Sequence, residues 1–150
     1  MSLEDADVQA CIARARVALV ATRSPRGAPF VTPLWFVVRN GRLLCTTSAA
    51  SVTVRNLDAD GAASVLLYDG VDESATRLLR LRGHAMARRG RLPFGVVARM
   101  AAKYYASPAG LAVELAHARL WPLRLRYYAQ SEAALLDFVP EVAAFVPRPR

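Results

Sequence analysis

This chain has almost no lysine. Of its 20 basic residues, 19 are arginine, and Lys103 is the exception. Cysteine is scarce too: Cys11 and Cys45 stand too far apart for metal-ligand spacing. That excludes a thiolate metal site and leaves both as reduced, packing residues of a cytoplasmic protein. No apolar run approaches the roughly 18 residues of a membrane span, and the longest good one, Val17 to Ala21, is strand-sized. The opening MSLEDADVQA is acidic and polar, unlike a secretory signal. Histidine occurs twice, and no Ser-His-Asp set, metal cluster, paired carboxylates or glycine-rich nucleotide loop is present.

What is there is a small, apolar and basic chain. Its 150 residues suit one domain, 1–150, and 54% hydrophobic residues suffice for a core. The net charge of +8 can attract anions. The arginines are spread along strands, turns and tail, and no helix-turn-helix, zinc finger or RNA-binding aromatic motif accompanies them. The charge therefore points to a phosphorylated or carboxylated small molecule and not to nucleic acid.

The pattern predicts a helix over Leu3 to Arg14, with Val8, Ile12 and Ala15 on one face and Arg14 and Arg16 late, as the helix dipole prefers. Val17 to Thr22 reads as a buried strand and Ser24-Pro25-Arg26-Gly27 as a turn. Pro29 to Val38 is a long strand whose Pro33 implies a bulge or an edge. Asn40-Gly41 is the strongest short hairpin signal, and Arg42 to Thr47 returns from it. Ser48 or Ser51 then caps a short helix ending near Leu57.

Ala62 to Tyr68 reads as a strand, and residues 77 to 87 alternate, with Leu79, Leu81, Gly83 and Ala85 opposite Leu78, Arg80, Arg82 and His84. Pro93 opens an amphipathic helix through Tyr105, and Ser107-Pro108 starts another. Arg119 to Tyr128 is expected as the last strand. The tail, 131–150, is expected to hold a short apolar helix and a frayed end. The expected fold is mainly β (α+β): a six-stranded split β-barrel with short flanking helices.

The T-P-L-W-F strand (Thr32, Pro33, Leu34, Trp35, Phe36), the N-G hairpin, the T-T ending (Thr46, Thr47) and the R-N-L helix (Arg55 to Leu57) share an order and spacing with one family. In these residues the chain resembles the flavin-binding split-barrel proteins, the pyridoxamine-5'-phosphate-oxidase-like family. The likeness covers residues 8 to 87 best; beyond them only L-R-L-R-G-H-A is added. The resemblance implies a homodimer with an FMN-type cofactor between subunits, its ring on Thr32 to Phe36 and its phosphate near the helix after Thr46 and Thr47. Hydroxyls there, Ser51, and free N–H groups at residues 49 to 51 would suit a phosphate. Thr46 and Thr47 are equally ordinary strand residues.

The chain departs from that pattern at three places. FMN-binding members usually carry Arg-Lys on this helix, where Val52 and Thr53 stand, and a Gln in the later strand, where Leu78 stands. Charge-assisted contacts are worth roughly 1.5–3 kcal/mol each, so losing two weakens a site ~100-fold or more. Arg55 and Arg80 are the candidates for compensation, with Arg23 and Arg26 beside the first turn. That turn, T-R-S-P-R-G-A-P, resembles the deazaflavin-dependent nitroreductase branch of the superfamily, which implies a deazaflavin (coenzyme F-420 type) as readily as FMN.

The implied function is an oxidoreductase in which the cofactor supplies the hydride chemistry, consistent with the lack of an obvious catalytic side chain. The alternative is a non-catalytic barrel that binds an apolar, fatty-acid-like ligand in the cleft left by the missing phosphate partners. Tyr104-Tyr105 on the amphipathic helix could donate a proton, although helix packing is their ordinary use.

Overall fold

A computed structural model describes residues 2–69, 77–106, 108–116, 118–120, 122 and 132–148, with the backbone only at 109, 110, 113 and 114. Helix α1 (Ala6–Arg14) leads into β1 (Ala18–Arg23), β2 (Pro29–Leu34), β3 (Phe36–Arg39) and β4 (Arg42–Ser48). Helix α2 (Val52–Ala59) follows, then β5 (Ala62–Tyr68), β6 (Arg77–Arg89), α3 (Phe94–Tyr104), α4 (Pro108–Ala116), a 3-10 turn (Ala118–Leu120) and β7 (Ala133–Pro147).

The strands form one antiparallel sheet in the order β2-β1-β5-β6-β7-β4-β3. Its two outermost strands, β2 and β3, are consecutive in the chain and separated by Trp35 alone. A sheet whose opposite edges are joined by one residue must curl, and the result is a half-closed barrel. Pro33 lies on an edge strand, where a residue without an N–H costs no ladder bond. The Asn40-Gly41 turn has φ of 52° and 73°, the positive pair that a two-residue hairpin matching strand twist requires.

The described residues hold seven strands, not six. The tail expected as a short helix and a frayed end is instead β7, 15 residues long, paired to β4 on one side and β6 on the other. The reason is tertiary. AALLDFVPEVAAFVP has no pronounced period, but Pro140 opposes helix and two neighbouring strands offer it complete ladders. The ladder tolerates Pro140 because the register slips there: Arg82 faces Val142 while Gly83 faces Pro140. Of the strand expected over Arg119 to Tyr128, Arg119 and Leu120 lie in the 3-10 turn, and all of the remainder but Pro122 lies outside the described residues.

Inside the barrel, Val20, Phe36, Leu43, Val65, Leu79, Leu81, Leu136 and Phe138 pack with α1 and α2 through Val8, Ile12, Val54 and Leu57. Outside it, α3 covers the β3–β4–β7 face, where Val96, Met100 and Tyr104 meet Val37, Leu44 and Leu135. Both cysteines are buried. Burial pushes the Cys11 thiol up to about 11 and the Cys45 thiol up to about 12.

Candidate cofactor site

Helix α2 is anchored to the sheet by two polar pairs. The Thr53 and Thr32 hydroxyls lie 3.0 Å apart, and Asn56 Nδ2 donates to Thr22 Oγ1 at 3.0 Å. Thr32 faces Val20 across the β1–β2 ladder, so its side chain points into the barrel, where the first turn of α2 meets it. Thr53 is therefore fully buried, and Val52 beside it is half-buried. Of the two positions where the family places a cationic pair, 53 is turned inward and joined to β2.

Ser51 caps α2, its Oγ accepting the Val54 N–H at 3.3 Å. The N–H groups at residues 49 to 51 are not free, which corrects the sequence expectation. Ala49 donates to the Glu132 carbonyl at 2.8 Å, Ala50 to Ser48 Oγ at 3.3 Å, and Ser51 to the Ser48 carbonyl at 3.0 Å. As the chain reverses between β4 and α2, Ser48 takes two of these donors and Glu132, just before β7, takes the third. Thr46 and Thr47 end β4 half-buried, opposite Leu135 and Ala134.

Arg55 is exposed on α2. Arg80 is exposed on β6, between Leu66 and Ala144, on the face opposite Leu79 and Leu81 and hence opposite α2. Within one chain the fold does not bring Arg80 to the start of α2. Arg23 is held by Asp60 at 2.9 Å, and His84 Nδ1 pairs with Glu141 at 2.7 Å.

Trp35 and Phe36 divide as adjacent strand positions do. Leu34 and Phe36 are buried. Trp35 stacks on Tyr104 with centroids 4.3 Å apart and planes at 5°, and meets Tyr105 edge-on at 5.7 Å. The Tyr104 hydroxyl accepts the Phe36 N–H at 2.9 Å and donates to the Arg16 carbonyl at 2.6 Å. Burial pushes this phenol up to about 12. Packing is thus the structural role of Tyr104. Sequence reasoning missed its neighbour Lys103, whose Nζ donates to the Phe36 carbonyl at 3.1 Å and lies 3.5 Å from the Phe36 ring centroid. The signal available was its singularity among 20 basic residues.

Among the described residues, no cluster of His, Cys, Asp and Glu could hold a metal ion, and no helix is long and apolar enough to cross a membrane.

Residues 5–122 match the Pyridoxamine 5'-phosphate oxidase family. The chain belongs to that family. Its fold is similar to that of a conserved hypothetical protein from Mycobacterium tuberculosis, with a TM-score of 0.68 and 20% identity over 98% of this chain and 86% of that one. It is also similar to an F420 reductase, with a TM-score of 0.61 and 19% identity over 93% of this chain and 96% of that one. A heme binding protein from Mycobacterium smegmatis has a TM-score of 0.60 and 19% identity, over 93% of this chain and 52% of that one. At these identities the likeness establishes the split-barrel fold. No curated protein matches the chain.

Proposed function

We propose that this chain is an oxidoreductase subunit that holds a flavin or 5-deazaflavin cofactor between two copies of itself. The observation that carries the reading is the Thr32–Thr53 contact. It joins the edge strand that the family uses for the ring to the helix start it uses for the phosphate.

The residues fit such a group in a particular way. As an edge strand, β2 offers backbone groups without a strand partner along Thr32 to Leu34. Thr46, Thr47 and Ser51 would supply hydroxyls, and half-buried Val52, at the start of α2, would supply an amide of the kind a helix start leaves for an anion. Arg55, one turn further, is the cation on that helix, and Arg80 would serve from the outer face. The cofactor would supply hydride transfer, and the protein would bind and orient it.

The likeness to an F420 reductase supports the deazaflavin over FMN as the cofactor. The homodimer is supported by apolar side chains left on the sheet surface, Val31 at 52% and Val142 at 44% exposure.

Titration of the purified chain with FMN and, separately, with the 5-deazaflavin tests this reading by fluorescence quenching. Micromolar binding of the deazaflavin, tighter than FMN, is expected. No binding of either overturns it. Sedimentation equilibrium should give twice the chain mass, and a monomer would remove the shared site.

A further inference from the structure

Away from β2 and α2, the described residues line an open surface groove of about 440 Å³ between α1, β3 and α3. Ile12 and Ala13 line it from α1, Val37 and Val38 from β3, and Arg99, Ala102 and Lys103 from α3. Five of these seven residues are apolar, and the other two are cations. The volume lies within the range of small-molecule sites.

Three features suit this pocket to an anion. First, Arg99 and Lys103 stand four residues apart and therefore share one helix face, where like charges destabilise a helix. A helix arranged for its own stability would pair one of them with an acid. Second, neither has a carboxylate partner among the described residues: the ion pairs there involve Arg14, Arg23, Arg42, Arg77, His84, Arg88 and Arg89. Third, Lys103 is half-buried; its ammonium donates to the Phe36 carbonyl and lies 3.5 Å from the Phe36 ring centroid, and no further acceptor for it stands among the described residues.

We propose that this pocket binds an apolar monocarboxylate, with Lys103 and Arg99 as counter-ions and Ile12, Val37, Val38 and Ala102 against the hydrocarbon body. Neutral apolar molecules would gain the burial but leave the ammonium without an anion. Dicarboxylates would place a second charge on an apolar wall. None of the lining residues is assigned to the cofactor, although Lys103 is bonded to the Phe36 carbonyl, so separate ligands test the two readings.

The groups facing the Lys103 amine are Arg16 after α1, Cys45 on β4, the carbonyl and ring of Phe36 on β3, and the Tyr104 ring beside it. Burial, followed by the charge of Arg16, lowers the amine from 10.5 to about 8. A bound carboxylate favours the protonated form and must move that value upward.

Because the chain has one lysine, protein grown on lysine labelled with 13C at Cε gives one side-chain resonance. Octanoate added to the full chain should shift that resonance saturably and raise the Lys103 midpoint by about one unit, equivalent to tenfold preference for the protonated form. Calorimetry should show octanoate binding at least tenfold tighter than 1-octanol. Both Arg99→Gln and Lys103→Gln should abolish that preference. Arg99→Gln removes an exposed guanidinium without touching Phe36, so it keeps the test valid if Lys103→Gln fails to fold. Equal binding of octanoate and octanol overturns the proposal. So does a Lys103 resonance that octanoate leaves unmoved, or octanoate affinity unchanged in Arg99→Gln.

Discussion

The Tyr104 hydroxyl stands where a neighbouring strand would stand for Phe36: it accepts the Phe36 N–H at 2.9 Å and lies 3.1 Å from the Phe36 carbonyl. The chain leaves β2 at Leu34 and enters β3 at Phe36, so this residue begins an edge strand whose outward groups are buried. Two side chains of α3 satisfy them: the Tyr104 hydroxyl accepts the N–H, and Lys103 Nζ donates to the carbonyl at 3.1 Å. Tyr104→Phe keeps the Trp35 stack and removes the hydroxyl. It should lower unfolding free energy by about 1–3 kcal/mol, the cost of buried groups left unpaired. Urea denaturation checks this, and an unchanged midpoint would show that water replaces the hydroxyl.

Gly83 lies against Val139 and Pro140 at the register slip. A Cβ there would fall 2.0 Å from the Val139 carbonyl oxygen, in backbone that cannot give way cheaply. Gly83→Ala should destabilise by about 3 kcal/mol, the upper end of overpacking costs, or prevent expression. A thermal midpoint equal to the parent's would mean that the β6–β7 bulge is mobile.

Asp69 joins three elements. Arg14 at the end of α1 lies 2.9 Å from its Oδ1, and Arg77 at the start of β6 bonds its Oδ2. Its side chain is 8% exposed. Burial alone would raise this carboxyl, but the bonds from Arg77 and Arg14 outweigh it and hold it below the ordinary 3.8. The folded value is depressed, so the stabilisation is present above the ordinary value and is lost as pH falls through the folded one. Asp69→Asn should lower the melting temperature at pH 7, and the gap to the parent should close as pH falls below 3.8. A gap that persists at pH 2 would assign the loss to packing instead.

Both thiols are held protonated by burial, Cys11 at about 11 and Cys45 at about 12. The thiolate is the reactive form, so a disulfide reagent at pH 8 should modify neither in the folded chain and both in denaturant. Rapid labelling of one thiol in native buffer would mark a local opening, at α1 for Cys11 or at β4 for Cys45.

Thr47→Val should weaken deazaflavin binding about tenfold, the loss of one hydrogen bond of roughly 1.4 kcal/mol, with little change in melting temperature. The half-buried position at the end of β4 tolerates the isosteric change. Unchanged affinity would remove Thr47 from the phosphate site.

Much of the site's framework was legible because its signals are local. Asn40-Gly41 fixes a hairpin by positive φ, Ser51 caps α2 with its own hydroxyl, and Pro33 marks an edge. The alternation along β6 placed Leu79, Leu81 and Gly83 on the buried face. The bonding of residues 49 to 51 was not legible, because an N–H at a turn finds its partner in three dimensions. Ala49 donates to Glu132, 83 residues away in sequence. The inward turn of Thr53 was equally hidden, since only the approach of β2 to α2 gives its hydroxyl a partner.

The sequence by itself determined where the chain turns, which strands alternate and which face of each helix is apolar, since propensity, period and capping act over a few residues. The tertiary structure decided what those rules leave degenerate. It made a strand of Ala133–Pro147, because β4 and β6 both present unpaired backbone that only a strand can satisfy. It also brought Lys103 and Arg99 to a pocket shared with α1 and β3, because α3 must cover the outer face of the curled sheet.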